Sequence, residues 1–414
     1  MLTRTKLCTW FAYNSGPVPT YSLNFLSGTL DGSLTFARVS NAWYYNSSGV
    51  LTQAATNAPR FDYNPSTLAL NGLLMEQQST NYLSYSMNSF TGGNWSSSLT
   101  TSTSAVLAPD GVNYFAKLVL PAGQTDNTAL AFQSVSVSGT YTLSIYAKSA
   151  EYTHVLLDTG PWTAYAVFDL KNGVVSQNVG GGTAGMQYVG NGVYRCYLTY
   201  ASVTSSYSFL VTPVNGSSHT GGAGDGTSGV YVYGAQLEAG AFPTSYIPTT
   251  SSSVTRAADV LSNASPSFFN ATHGTFVVKA IPEGIVPAAN NYLASFNSGV
   301  TANSINLFIN TTGAAQGGDT IGGTSYTSAA TAGSPVAGTL FKQALAYVSG
   351  SNVVDYNSTI DGAGAFGAAA LPSGITTLIL GNNLSSSGTA PFNGWVQSFG
   401  YYNTNLSNSQ LQGL

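Results

Sequence analysis

Val230-Tyr231-Val232-Tyr233-Gly234-Ala235-Gln236-Leu237-Glu238 leads into Phe242-Pro243-Thr244-Ser245-Tyr246-Ile247-Pro248-Thr249-Thr250, and then into Val254-Thr255-Arg256-Ala257-Ala258-Asp259. The first piece is β-branched and aromatic, which suits a strand. In the second, prolines flank Tyr246-Ile247. Proline fixes φ and biases its predecessor to extended geometry, so this piece is predicted to run extended, outside a sheet centre. The third carries Arg256 and Asp259 in a chain whose charged residues make up only 6%. The stretch reads as the end of one β-domain, a stiff connector and the start of another. Its prolines predict a fixed angle between the two.

Working outward, the 414 residues have room for two or three domains. Ordinary soluble proteins are about 25% charged, so solubility here must rest on Ser, Thr, Asn, Gln and Tyr. Abundant Gly, with Thr, Val, Tyr and Phe between, favours short strands and turns over helices. No apolar run is long enough to span a bilayer, so membrane insertion is not expected. The start, Met1 to Trp10, lacks the apolar core of a signal peptide, which predicts cytoplasmic synthesis without export by the general route. Cys8 and Cys196 lie far apart and are expected to be free thiols in that compartment. The net charge is −4 and no basic cluster exists, which argues against nucleic-acid binding.

Residues 1–25 combine Arg4, Lys6, Trp10, Phe11 and Tyr13 with a Gly16-Pro17-Val18-Pro19 break. A frayed terminus fits, and so does an anchoring arm in which Trp10 and Phe11 are the buried contacts. Residues 26–83 hold turn signals and short extended pieces. Leu34, Phe36 and Arg38 share one strand face, and Arg60 and Asp62, two apart, point the same way on a strand. Residues 84–250 alternate as a sandwich does, with Leu143, Ile145 and Ala147 on one face and Thr142, Ser144 and Tyr146 on the other. Turn signals at Asn172-Gly173 and Asn191-Gly192 separate further short strands.

Residues 251–414 read as a second sandwich. Its candidate strands are 275–280, 292–296, 305–309, 343–348, 353–356, 377–380 and 395–402, and tracts such as 314–320 and 362–370 read as connections. At the end, Ser407 and Gln410 fit the capping box of a short helix.

The order of motifs in residues 23–83 resembles a segment of tailed-bacteriophage virion proteins. The matching elements are Phe25, Gly28-Thr29-Leu30, Thr35-Phe36-Ala37-Arg38, Ser48-Gly49-Val50-Leu51, Pro59 to Pro65 and Gly72 to Leu83. Gln77 and Ser79 stand where that pattern has a second acid and an arginine. Residues 84–250 resemble the carbohydrate-binding-module-like jelly roll that follows in such proteins. Gly234 to Thr249 matches its closing signature, and Thr255 to Asp259 follows it. The tail of residues 251–414 resembles concanavalin A-like lectin domains. The resemblance implies an all-β chain: an N-terminal extended segment and then two β-sandwiches, jelly-roll and concanavalin A-like. Its divisions fall at 1–25, 26–83, 84–250 and 251–414.

Little in the sequence points to catalysis. His154, His219 and His273 are scattered, with no metal-ligand spacing, and no phosphate-cradling loop or nucleophile elbow appears. A glycosidase needs paired carboxylates across a cleft, and nothing marks Glu151, Asp158, Asp169 or Glu238 as a pair. The chain is not expected to be an enzyme. Calcium is implied by resemblance to both domain types, although acidic ligands are sparse and only Asp225 and Asp319 are candidates. For glycans, aromatic rings next to hydrogen-bonding side chains are the needed combination. Tyr152, Asp158, Trp162 and Tyr165 supply it, though packing of Trp162 and Tyr165 on the sandwich or on a neighbouring subunit is the reading their residue types favour.

In so uncharged a chain, Arg38, Arg60, Asp62, Glu76, Glu238, Arg256 and Asp259 are candidates for buried pairs that fix how the segments dock, with Arg256 and Asp259 the pair that sets the angle. The expected function is a virion fibre or decoration on capsid or tail. Its arm docks on other virion proteins, its sandwiches meet host-surface glycans, and trimerisation follows by analogy with fibres. A shell or tail protein without ligand, and a glycan-degrading enzyme, are the alternatives.

Overall fold

The computed structural model describes residues 16–414 except 88–89, 92, 161, 163, 204–206, 287–288, 329–332, 361–369 and 385–390. The chain is all-β, with two two-layered sandwiches and a single short α-helix, Asn408–Gln412, among the described residues. Trp10, Phe11 and Cys8 lie outside the described residues.

The sandwiches are not consecutive. The strand Gly229–Ala239 runs in a sheet ordered Thr183–Gly190, Val193–Val203, Gly139–Ser149, Gly229–Ala239, Tyr114–Val119 and Thr100–Leu107. The facing sheet is ordered Val174–Val179, Tyr165–Asp169, His154–Asp158, Tyr207–Val214, Ala131–Val135 and Ser96–Ser97. Leu143, Ile145, Ala147, Phe168, Leu198 and Leu237 are among the residues filling the space between.

The other sandwich takes strands from both ends of the chain. His273–Gly284 and Asn393–Tyr402 form the centre of one of its sheets, and Leu70–Met75, Phe61–Tyr63 and Tyr21–Asn24 extend that sheet from the N-terminal side. In the opposite sheet Thr35–Ala37 pairs with Val260–Asn263. Leu23, Phe25, Phe36, Leu73 and Met75 share a core with Phe276, Phe296, Leu345 and Phe399.

Residues 26–83 are therefore not a separate unit, and the arm does not extend to residue 25. These strands have apolar faces too small to form a core alone, and they bury them in the C-terminal sandwich. The jelly roll is an insertion into that domain. Its neck is a two-stranded ribbon, Ser79–Asn81 antiparallel to Val254–Arg256, where the chain leaves and returns.

The seven strands expected in residues 251–414 are present, within a few residues at their ends. Five more are present among the described residues, namely Val254–Arg256, Val260–Asn263, Thr324–Thr327, Thr359–Ile360 and Ala315–Ile321, the last of which occupies the tract read as a connection. Its glycines admit close neighbours: a Cβ on Gly317 would sit 2.9 Å from Val354 Cγ2. At the C-terminal helix, the Ser407 N–H donates to Gln410 Oε1 at 2.9 Å.

The proline-flanked connector lies back on the inserted sandwich. Tyr246 and Ile247 are buried. The Ile247 N–H donates to Gln236 Oε1 at 2.7 Å, and Asn81 Nδ2 donates to the Ile247 carbonyl at 2.9 Å. Tyr246 joins Phe115, Tyr146 and Tyr233 in a second cluster on the outer face of the inserted sandwich, which Trp43, Tyr45 and Leu51 cover. This cover explains why Tyr146, on the polar face of its alternation, is buried all the same.

Candidate functional site

Two groupings of rare side chains stand out, one at the neck and one on the outer face of the inserted sandwich's other sheet, opposite the Tyr246 cluster. At the neck, Arg38, Arg60, Arg256, Glu76, Glu238 and Asp259 are all buried. Arg60 bridges Glu76 Oε2 and Asp259 Oδ2, each at 2.5 Å. Arg38 holds the other Asp259 oxygen at 3.0 Å, and Arg256 reaches Glu76 Oε2 at 2.9 Å. Ser245, on the connector, donates its N–H and hydroxyl to Glu76 at 2.6 and 2.7 Å. Glu238 accepts from the Thr244 N–H and hydroxyl, Ser79 Oγ and Gln236 Nε2. Thr244 Oγ1 in turn accepts from Arg256 at 3.2 Å.

Three guanidiniums thus pair with two carboxylates, Glu76 and Asp259, where both crossings of the neck meet the first strands, and Glu238 is held beside them by neutral donors. Burial alone would raise the Glu76 pKa, but Arg256, Arg60 and the Ser245 donors outweigh it and hold it at about 2. Burial would likewise lower that of Arg60, and the charges of Asp259 and Glu76 raise it instead.

Arg256 and Asp259 do not pair with each other. Each pairs with the N-terminal segment, because both crossings of the neck converge on it. Asp62 also stands apart from the cluster. It accepts from the Tyr45 N–H at 2.7 Å and Trp395 Nε1 at 2.8 Å, while the terminal nitrogens of Arg60 are taken by Glu76 and Asp259. Burial is the main cause lifting the Asp62 carboxyl to about 6.

The second grouping is on the sheet containing His154–Asp158 and Tyr165–Asp169. Trp162 follows a tight loop and has φ +60°, a left-handed conformation unusual for a bulky residue. Asp158, fully buried, holds it there by accepting from the Gly160 and Trp162 N–H groups at 3.0 and 2.8 Å. The indole stacks on the His219 imidazole at 4.1 Å and meets Tyr165 edge-on at 6.3 Å. His219 is held in turn by Asp126 Oδ2 at 2.9 Å from Nδ1. Beside this stack is an open groove of about 360 Å³ lined by Trp162, Leu130, Phe132, Leu210, Ser134 and Asn127 among others.

Trp162 and Tyr165 therefore come together. Asp158 positions the loop and has no exposed surface to offer a ligand. Tyr152 is elsewhere, packed on the main core with its N–H donating to the Gly229 carbonyl. His219, Asp126 and Phe132 were not legible as partners, since they come from three distant loops and strands. A signal lay only in the Gly-rich run around His219, which reads as a bare turn.

No family model and no curated protein matches the chain. Similar solved structures include the CBM40 module of a Ruminococcus gnavus IT-sialidase bound to α2,3-sialyllactose, at 18% identity and TM-score 0.29, covering 34% of this chain and 82% of that one. Domain 4 of AbnA, a GH43 extracellular arabinanase from Geobacillus stearothermophilus, in complex with arabinotriose, is 13% identical at TM-score 0.32, over 41% of this chain and 80% of its own. Domains LG4-5 of the mouse laminin α1 chain are 12% identical at TM-score 0.24, over 68% and 84%. These neighbours are carbohydrate-binding and lectin-like sandwiches. At such TM-scores the likeness carries no argument about ligands.

The two calcium candidates do not fit a metal. Asp225 spends its oxygens on the N–H and hydroxyl groups of Thr227 and Ser228. Asp319 is buried and bonded by Asn352. Among the described residues no group of three or more His, Cys, Asp and Glu side chains converges. The carboxylates weighed for hydrolysis are also engaged locally: Glu151 with Lys117 at 2.7 Å, Asp169 with Lys171 and Asn172. Cys196 is a free, buried thiol whose pKa is pushed up by burial.

Proposed function

We propose that the chain is a glycan-binding structural protein of a tailed-phage virion, a fibre or decoration on capsid or tail, and not an enzyme. The observation that carries glycan binding is the Trp162 platform: a strained aromatic residue held beside an apolar groove with polar rims. A sugar offers an apolar ring face to the indole, and hydroxyls to Ser134, Ser208 and Asn127. A single groove of this kind binds weakly, and repeated copies on one particle would raise avidity without new contacts. The virion assignment rests on the ordered motifs of residues 23–83 and on the closing signature at 234–249. In this reading the N-terminal arm that carries Trp10 and Phe11 docks on other virion proteins, the protein assembles as a trimer, and it resides in the particle after assembly in the host cytoplasm.

A glycan array with the purified chain tests the first claim. Binding that falls at least tenfold in Trp162→Ala is expected, whereas a silent array favours a shell protein whose groove packs on a neighbour. Release of products from host polysaccharide would make it an enzyme instead. Mass spectrometry of purified particles tests the virion claim, and absence of the chain there would overturn it.

A further inference from the structure

Between the two sandwiches lies a cleft of about 190 Å³ that shares no lining residue with the Trp162 groove. Its walls come from four separated parts of the chain. Asp62 and Tyr44 enter from the N-terminal segment, Arg195 from the inserted sandwich, and Glu283 and Trp395 from the C-terminal strands. Gln187 and Gly338, both exposed, stand at its mouth.

Glu283 is the unexplained group. Its Oε2 atom is buried and has no hydrogen-bond partner. A buried acceptor left unsatisfied is costly, on the order of 1–3 kcal/mol, and a hydroxyl donor entering the cleft, from water or from a ligand, would relieve it. The cleft has far more room than a single water needs. Arg195 stacks over the Tyr146 ring at 5.6 Å and donates to Ser144 Oγ at 3.1 Å. Trp395 donates its Nε1–H to Asp62, fixing its ring in the wall.

We propose that this cleft is a second saccharide site, taking one neutral sugar unit that donates a hydroxyl to Glu283 Oε2. Aromatic walls suit the apolar faces of a sugar ring. Carboxyl, guanidinium and amide groups suit hydroxyls, which both donate and accept. The acidic groups outnumber Arg195 in the lining, which disfavours an anionic sugar. Because walls from both sandwiches are needed, occupancy would tie the insertion to the domain that carries it.

The test uses saturation-transfer NMR on the full chain carrying Trp162→Ala, which removes the outer groove. The probes are the methyl glycosides of glucose, galactose and N-acetylglucosamine, with glucuronic acid as the anionic arm. At least one neutral glycoside should bind, and adding Glu283→Ala should weaken it at least tenfold without lowering Tm, since an unpartnered carboxyl is lost. If that variant does not fold, Tyr44→Ala, a half-buried residue of the cleft wall, should give the same loss. No neutral binding in Trp162→Ala, binding that survives both cleft substitutions, or tighter binding of glucuronic acid would each overturn the proposal. Failure of the Trp162 groove is read separately, as loss of array binding in the Glu283→Ala single variant.

Discussion

At the scale of single residues, the rarity of charge made the important positions visible, but their partners were not. Arg256 illustrates both points. It was marked out because few charges exist, yet it pairs with Glu76 rather than with Asp259 three residues on. Removing it would leave a buried carboxylate short of its counter-charge, which costs about 3–5 kcal/mol. Arg256→Ala is accordingly expected to lower the thermal midpoint clearly, and calorimetry showing an unchanged midpoint would refute a structural role for the cluster.

The pH dependence has two opposing parts. Glu76 is held at about 2 against an ordinary 4.5, so its stabilisation is present above pH 4.5 and fades as pH falls toward 2. Asp62 is raised from 3.8 to about 6, so its protonated form favours the fold below pH 3.8 and that contribution is lost as pH rises through 6. Glu283, raised by burial and then by the charge of Glu76, adds to the same loss at higher pH. Stability measured by chemical denaturation from pH 2 to 8 should therefore rise and then decline. In Asp62→Asn the part of the decline between pH 4 and 6 should flatten, and an unaltered profile would show that Asp62 is not the titrating group.

At the scale of elements, a short run of apolar, β-branched and aromatic residues was a reliable guide. It located Thr377–Leu380 and Val353–Tyr356 to the residue. It failed at Ala315–Ile321, where Gly317 and Gly318 replace side chains because neighbouring strands press close on both. Gly72 shows the same constraint in a strand that holds the two ends of the chain together. It has φ +137°, and a Cβ there would stand 2.6 Å from the Val396 carbonyl oxygen. Gly72→Ala must displace Leu70–Met75 from Asn393–Tyr402, a backbone clash that no rotamer relieves. A loss of about 2 kcal/mol is expected. Hydrogen exchange should show the added opening concentrated in these two strands, and uniform exchange would argue against that register.

At the scale of the whole molecule, the sequence reads as beads on a string because each segment carries its own turn signals and strand patterns. What it does not display is which segments share a core. Phe36 and Leu73 are as apolar as any sandwich residue, but nothing local says that their partners are Leu261 and Phe399. The candidate sugar platform was legible in the same partial way: Trp162 and Tyr165 are near in sequence, whereas His219 and Asp126 reach them only through the fold. The discontinuous topology makes a direct prediction. Residues 251–414 expressed alone lack Leu70–Met75, Phe61–Tyr63, Thr35–Ala37 and Tyr21–Asn24, and so expose Phe276, Phe399 and the unpaired edge of Asn393–Tyr402. They should be aggregated or unfolded by circular dichroism and gel filtration. Residues 16–77 joined by a short Gly/Ser linker to residues 255–414 restore every strand of that sandwich and keep Arg38, Arg60, Glu76, Arg256 and Asp259, and should fold cooperatively. If 251–414 alone gives the same sharp unfolding transition as the joined chain, the N-terminal strands are an accessory to that domain and not part of its core.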